Sequence, residues 1–255
     1  MQEHGLLRYY RAPLDVTHGI FTRQGGVSSA PFASLNLGST VGDDPQAVRE
    51  NHRLVYEALG VDGQRACTTW LVHSAEVAVA TGPHPERGWL TQADGLITNV
   101  VGLPLVMRYA DCTPILYYDP VQRVVGLAHA GWRGTVQGVA RRTVQAMNEA
   151  YGTRPEDVQA VIGPSISQAH FQVGEEVVEA MHAYFGPSAA EMIWRCPDDG
   201  SAYVDLWEAN RRDLQAAGVR DITVMGLCTV DQVADFYSHR AEKGRTGRFG
   251  VVICL

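Results

Sequence analysis

No stretch of this sequence approaches the roughly 20 consecutive apolar residues that a membrane-spanning helix needs, and residues 1–11 lack the apolar core of a secretory signal. A cytoplasmic location is the expectation. Cysteine is sparse: Cys67, Cys112, Cys196, Cys228 and Cys254 are odd in number and irregularly spaced, unlike a disulfide framework, so reduced thiols are expected. Positive charge is in deficit, with Lys plus Arg at 21 against Asp plus Glu at 28 and a net charge of −7. That balance argues against a broad footprint for DNA or RNA, and neither a nucleic-acid nor a membrane partner is expected. No Cys-x-x-Cys pair of the kind common in structural zinc sites occurs. The nine histidines, at positions 4, 18, 52, 73, 84, 129, 170, 182 and 239, include no His-x-His pair and are too few and too scattered for a multicopper cluster.

What is present is enough apolar material for a substantial core: 45% of 255 residues are hydrophobic. No internal repeat, low-complexity segment or dividing linker interrupts the chain, so residues 1–255 are expected to form a single α/β domain. Its architecture is expected to be a mixed β-sheet system with helices packed outside and the site at one end of the strands. Asp44 followed by Pro45 reads as a helix start, with Asp as N-cap and Gly60 as the stop. Residues 66–72, 77–80, 104–109, 115–119, 123–128, 158–162, 222–227 and 249–255 read as strands. Helices are expected over 174–185 and 205–217, and another opens at Gly131 and runs to about Gly152.

The stretch from Ala110 to Gly134 carries the densest chemistry. Asp111 and Cys112 precede a β-rich run, and His129-Ala130-Gly131-Trp132-Arg133-Gly134 follows it. His73 ends another expected strand. A set of His73, Cys112 and His129 has the open form of a catalytic zinc site, with three protein ligands and a fourth position for water. Two histidines and a cysteine also describe a blue-copper site, and Cys112 could equally be a buried core thiol. Gly131 to Gly134 lacks the spacing of the dinucleotide fingerprint but can open a helix over an anion. In the turn-rich segment 18–42, Arg23 and Asn36 are candidate ligand contacts, and solvated turn chemistry explains them as well. Residues 237–248 place Arg240, Lys243, Arg245 and Arg248 in a glycine-containing loop, either a phosphate site or a solvated surface.

Several ordered motifs span nearly the whole chain: His18-Gly19-Ile20-Phe21-Thr22-Arg23, Ser34-Leu35-Asn36-Leu37-Gly38, Gly42-Asp43-Asp44-Pro45, Val72-His73-Ser74, Ala93-Asp94-Gly95, Ala110-Asp111-Cys112, His129 to Gly134, Ile162 to Ile166 and Thr246-Gly247-Arg248. In these the chain resembles the bacterial multicopper-polyphenol-oxidoreductase, or laccase-domain, family, whose members are regarded as zinc-dependent purine nucleoside phosphorylases. The resemblance implies zinc, rather than copper, on His73, Cys112 and His129, which would then be the catalytic centre. It implies phosphate or nucleoside contacts at Arg23, Asn36, Asp94 and Arg133, and a ligand-orienting or proton-handling role for Asp94 and Asp111. The implied partners are phosphate and adenosine, inosine or guanosine, cleaved to base and ribose 1-phosphate. Adenosine deaminase and methylthioadenosine phosphorylase activities are implied alongside. Two further readings follow from the family: an amidase-like peptidoglycan editing factor acting on a muramyl precursor, and a copper polyphenol oxidase that the missing His-x-His pairs disfavour. His239-Arg240-Ala241 departs from the family's pattern. A monomer or dimer is expected.

Overall fold

The computed structural model describes residues 1–83 and 88–255, leaving His84 outside the described residues. In chain order the first elements are strands β1 (Gln2–His4), β2 (Leu7–Tyr10) and β3 (Thr17–Phe21), helix α1 (Pro45–Leu59) and strand β4 (Val77–Val79). The middle of the chain gives β5 (Gly95–Thr98), β6 (Leu105–Tyr109), β7 (Thr113–Asp119), β8 (Val124–Ala130), α2 (Trp132–Thr135), α3 (Val139–Tyr151) and β9 (Gln159–Ile162). The remainder forms β10 (Gln172–Val173), α4 (Glu175–Phe185), β11 (Ile193–Arg195), β12 (Ala202–Val204), α5 (Leu206–Ala216), β13 (Asp221–Val224) and β14 (Phe249–Cys254).

The strands assemble into a five-stranded antiparallel sheet, β1-β2-β3-β14-β6, a six-stranded mixed sheet, β13-β9-β7-β8-β5-β4, and a small sheet, β10-β12-β11. Strand alternation divides the side chains between layers. Met107, Val251 and Ile253 of the first sheet meet Leu96, Leu116 and Leu127 of the second in one core. The intervening Val106 and Val252 point outward and pack with Phe21 and Val55, which places α1 on the outer face. On the far side, Ile97, Ile115 and Ala128 pack against Val139, Val144 and Met147 of α3 and Leu214 of α5. The layers therefore run helix, sheet, sheet, helices, the mixed α/β layering expected from the sequence. Each fully buried aliphatic side chain contributes about 1.5–3 kcal/mol to this arrangement. Among the described residues no helix is long and apolar enough to cross a membrane.

Local signals set several boundaries. The Asp44 carboxylate accepts from the Gln46 N–H, Pro45 occupies the first turn, and Gly60 closes α1 in the left-handed region at φ 66°. Two expectations are corrected. Residues 66–72 are no strand; their only ladder pairings among the described residues are isolated bridges, Cys67 to Leu105 and Trp70 to Gln92. Their side chains Trp70 and Leu71 face a cavity instead of a sheet. The helix expected from Gly131 to Gly152 is broken in two, because Gly138 adopts φ 79° between α2 and α3. The Cβ of an alanine there would also collide with the Tyr184 hydroxyl oxygen, so the break is fixed by packing as well as by backbone.

His52 on α1 provides a measurable consequence. Its Nε2–H donates to the Leu37 carbonyl at 3.0 Å, and its Nδ1 accepts from the Tyr56 hydroxyl at 3.1 Å. Burial, reinforced by the charge of Arg108, lowers its pKa from 6.5 to about 4. The folded value lies below the unfolded one, so this contribution to stability is complete above the unfolded pKa and is lost as pH falls toward 4. About 2–3 kcal/mol is expected to disappear across that window. Urea unfolding of wild type and His52→Gln at both ends checks this; equal pH dependence in the two proteins would refute it.

Candidate metal centre

The pairing of β7 with β8 builds one end of the site. Their register sets Thr113 opposite Ala130 and Pro114 opposite His129, so Cys112, one residue before β7, is delivered beside His129. β5 pairs on the other side of β8, with Gly95 opposite Ala128. This brings Asp94 to His129, whose backbone N–H donates to the Asp94 carbonyl at 2.7 Å. His73 enters from the segment preceding β4. Donor atoms of His73, Cys112 and His129 lie within 4.8 Å of one another, with Cys112 Sγ 4.0 Å from His73 Nε2.

Asp94 organises both histidine segments. One oxygen accepts from His129 Nδ1–H at 2.9 Å. The other accepts from the Val72 N–H at 3.1 Å, the Ser74 N–H at 2.7 Å and the Ser74 hydroxyl at 3.0 Å. Donation from Nδ1 leaves Nε2 of His129 as the ligating nitrogen, the arrangement that orients metal-bound imidazoles. Burial alone would raise the Asp94 pKa, but the His129 and Ser74 contacts outweigh it and hold the carboxyl below its usual value. Asp111 works similarly on the neighbouring segment, accepting from the Thr229 hydroxyl at 2.6 Å and the Arg240 backbone N–H at 2.7 Å. His73 at φ 60° and Asp111 at φ 80° occupy the left-handed region, a strained setting for side-chain-bearing residues that concentrates at functional sites.

The electrostatics match a cation site. Burial works to raise the Cys112 thiol, yet the charge of His129 and hydrogen bonds from His129 and His73 bring its pKa down from 9.0 to about 6. Burial likewise works to lower His129, but Cys112 and Asp94 raise it to about 9. A thiolate beside a protonated imidazole is therefore favoured at neutral pH, and a metal would displace the proton on the ligating nitrogen. One soft sulfur and two imidazole nitrogens suit zinc, and three protein ligands leave a position open. The residues present fit such an ion.

Gly131 is required by close approach and not by its backbone, which is extended at φ −70°, ψ 170°. A Cβ there would sit 2.9 Å from Cys112 Sγ and 3.1 Å from His73 Cδ2. Gly131→Ala is expected to weaken metal binding by about 10- to 100-fold, comparable to loss of an outer partner of a ligand. Stability is expected to change by less than about 3 kcal/mol, the scale of overpacking. Competition titration with a chelator checks the first figure; unchanged affinity would contradict it.

The triad opens into a cavity of about 460 Å³, of a size suited to a small ligand. Its walls include the rings of Trp70, Trp89, Trp132 and Phe171, and its cations are Arg108, Arg133, Arg240 and Arg248. Arg108 donates to the Thr68 hydroxyl at 2.8 Å and the Thr69 carbonyl at 3.1 Å, and Arg248 donates to the Thr246 and Gly247 carbonyls. Burial lowers the pKa of both guanidinium groups. Among the described residues no carboxylate forms an ion pair with any of these four arginines, whereas Arg23 is paired with Glu242 at 3.0 Å.

Arg23 and Asn36 are placed differently from the contacts that the resemblance implies. Arg23 also bonds the carbonyls of Ala33 and Val233 and stacks 4.3 Å from the Tyr237 ring centroid, away from the triad's cavity. Asn36 is wholly buried; its Oδ1 accepts from the backbone N–H groups of Gly38 at 2.9 Å and Arg248 at 2.8 Å. It therefore holds the cavity's arginine and rim without reaching the space itself. Arg133 does line the cavity, stacked 4.3 Å from the Trp132 ring centroid. The helix start expected to bind an anion there is a single four-residue turn, too short for an appreciable dipole. Of the loop 237–248, Arg240 and Arg248 face the cavity, while Lys243 and Arg245 are exposed elsewhere. Arg108 was missed because it lies inside β6; a lone cation in an otherwise apolar strand is the signal that marks it.

Fold and site together define an α/β protein with a histidine–cysteine–histidine centre opening into a cationic, aromatic-walled cavity. Residues 17–255 match the family described as "Multi-copper polyphenol oxidoreductase laccase", and the chain belongs to that family. It is 41% identical to a Deinococcus radiodurans protein named purine nucleoside phosphorylase, covering 96% of this chain and 92% of that one. It is 37% identical to purine nucleoside phosphorylase YlmD of Bacillus subtilis, covering 92% and 86%. The crystal structure of YlmD from Geobacillus stearothermophilus matches with a TM-score of 0.92 at 36% identity, covering 100% of this chain and 97% of that one. These relatives support an enzyme.

Proposed function

We propose that this chain is a zinc-dependent purine nucleoside phosphorylase, cleaving inosine, guanosine or adenosine with phosphate. One observation carries the reading: a cavity holding the triad together with several aromatic rings and with arginines that form no ion pair with a carboxylate among the described residues. Arg108 and Arg248 are half-buried guanidinium groups with no carboxylate ion pair among the described residues, and a small anion bound between them would offset the cost of their desolvation. Flat indole rings suit a purine by stacking. A zinc ion on His73, Cys112 and His129 would supply Lewis acidity at its open position.

In the reaction, the bond between ribose C1′ and the purine nitrogen breaks with its electron pair leaving on the base. A phosphate oxygen bonds C1′, and the proton that hydrogen phosphate gives up passes to the base. Positive charge develops at C1′, so an anion held beside it stabilises the transition state. On this reading Arg108 and Arg248 hold that phosphate, and Trp70, Trp89 and Phe171 enclose the base; that all five line the cavity supports the assignment. Binding both in one cavity lowers the entropic part of the barrier. Asp94 orients His129, and Asp111 fixes the backbone carrying Cys112 and Arg240. Deamination of adenosine and phosphorolysis of methylthioadenosine are proposed as further activities of the same cavity.

The test is zinc-loaded protein with inosine, with and without phosphate, followed by separation of products. Hypoxanthine and ribose 1-phosphate are expected only with phosphate; metal-loaded protein that releases neither overturns the proposal. Arg248→Met is expected to raise the KM for phosphate at least tenfold, from loss of a charged hydrogen bond worth about 1.5–3 kcal/mol. A KM that rises for nucleoside alone would instead assign Arg248 to the purine or sugar.

A further inference from the structure

We propose that His170, Cys228 and Asp231 form a second divalent-metal site, of the zinc class, which pins together two loops at the edge of the cavity. Their donor atoms lie within 4.8 Å of one another, and none belongs to the first triad. His170 ends the segment that follows β9, while Cys228 and Asp231 belong to the segment that follows β13. The parallel pairing of β9 with β13 carries both segments in the same direction. Beyond the strands they stay joined: the Ser165 N–H donates to the Leu227 carbonyl, and the Thr229 N–H to the Ser165 carbonyl, both at 3.1 Å. A turn in which the Gln232 N–H donates to the Cys228 carbonyl at 3.0 Å then brings Asp231 back toward the sulfur.

Three features distinguish this group from a chance surface cluster. The sulfur is buried and accepts two donors, the Ser167 N–H at 3.5 Å and the Ser167 hydroxyl at 3.2 Å. Such donors stabilise a ligating thiolate. His170 Nε2 already contacts Asp231 at 2.7 Å, so imidazole and carboxylate converge on one point while their outer sides remain open to water. Thiolate and carboxylate together carry two negative charges, enough to neutralise a divalent ion beside a neutral imidazole. Binding would release the thiol proton and any proton on His170 Nε2 to solvent. A mixed sulfur, nitrogen and oxygen set favours zinc over magnesium or calcium, which prefer oxygen alone. Zinc bonds of about 2.0–2.3 Å need donors about 3.3–3.8 Å apart, so an ion would replace the direct His170–Asp231 contact, parting those two atoms by roughly 0.6 Å or more, and the sulfur would draw in by about an ångström.

The site's position gives it a task. Arg240 donates from its guanidinium to the His170 carbonyl at 2.9 Å and to the Gln172 carbonyl at 3.0 Å. Thr229, adjacent to Cys228, donates to Asp111. An ion clamping His170 to Cys228 and Asp231 would fix both anchors at once, holding one cavity arginine and the residue before Cys112 in place.

Metal-free full-length protein titrated with zinc against a competing chelator tests this. Wild type is expected to take up two equivalents; His170→Ala, Cys228→Ser and Asp231→Ala are each expected to keep one and to weaken the other by at least about tenfold. Cobalt supplies an independent readout. Cys112→Ser should retain a thiolate-to-cobalt charge-transfer band from Cys228, and Cys112→Ser/Cys228→Ser should lose it. Asp231 is exposed, so its variant remains informative if Cys228→Ser does not fold. A single equivalent in wild type, or no band in Cys112→Ser, overturns the proposal. Both measurements count metal and not turnover, so a failure of the phosphorylase proposal leaves them interpretable.

Discussion

Cys112→Ala is expected to lower phosphate-dependent inosine cleavage by about a hundred- to a thousandfold, the scale of losing one preorganised electrostatic element of an active site. The same substitution should empty the triad of metal, because two imidazoles in an open site cannot replace a thiolate's charge. Its structural cost is small by comparison. Cys112 is only half-buried at the cavity edge and precedes β7 without joining its ladder. Thermal unfolding of the metal-free proteins should therefore differ by no more than about 1 kcal/mol. Metal content, rate and stability measured together separate the outcomes. Loss of rate with metal retained would move Cys112 from ligand to some other role, and full rate without metal would remove the metal from the proposed reaction.

Asp94→Ala is expected to be the most damaging single change to the fold around the site. The carboxylate is completely buried, and its removal leaves His129, the Val72 and Ser74 amides and the Ser74 hydroxyl without their acceptor. Breaking a buried charged arrangement of this kind costs about 3–5 kcal/mol. Asp94→Asn separates geometry from charge. Its one oxygen can serve either the amides or His129, and an amide N–H₂ facing Nδ1 would force the imidazole proton onto Nε2, the nitrogen a metal needs. Asn is thus expected to cost less stability than Ala yet lose metal affinity by at least about 10- to 100-fold. Urea unfolding and a zinc titration of the two variants check this; an Asn variant that binds metal as wild type does would rule out the assigned tautomer. The depressed Asp94 pKa carries a sign as well. A carboxyl whose folded pKa lies below its unfolded value stabilises above the unfolded value and loses that contribution as pH falls through the folded one.

The layering was legible from the chain because the strands announce themselves through period and composition. β7 and β8 are buried along nearly their whole length and read as continuous apolar runs. Segment 66–72 misled because β-branched and aromatic residues lining a cavity look the same, in composition, as those lining a sheet. Gly138 was readable only as a glycine; that it splits a helix depends on Tyr184, more than 40 residues away along the chain.

The candidate site was legible to the same uneven degree. His73, Cys112 and His129 stand out because they are chemistry-bearing residues at strand ends, and the family resemblance assigns them one ion. Arg23 and Asn36 stand within equally recognisable motifs, yet one is neutralised by Glu242 and the other is sealed beneath Arg248. A motif shows that a position is constrained and is silent on what the side chain touches. Arg108 illustrates the converse, since nothing local marks it except a charge in an apolar strand, and only the facing layers reveal that it borders a cavity.

The β7–β8 register has a consequence for how the protein comes to maturity. His129 shares a strand face with Val125 and Leu127, between the sheets, while Ala128 and Ala130 face α3. Sliding β8 by one residue would turn the imidazole away from Cys112 and bury it against the helix, since each step exchanges the faces. An ion that grips both residues can do so only in a chain whose hairpin has closed in its native alignment. Metal uptake would thus serve as a proofreading signal, reporting at a single point that the central pairing of the sheet has been made correctly.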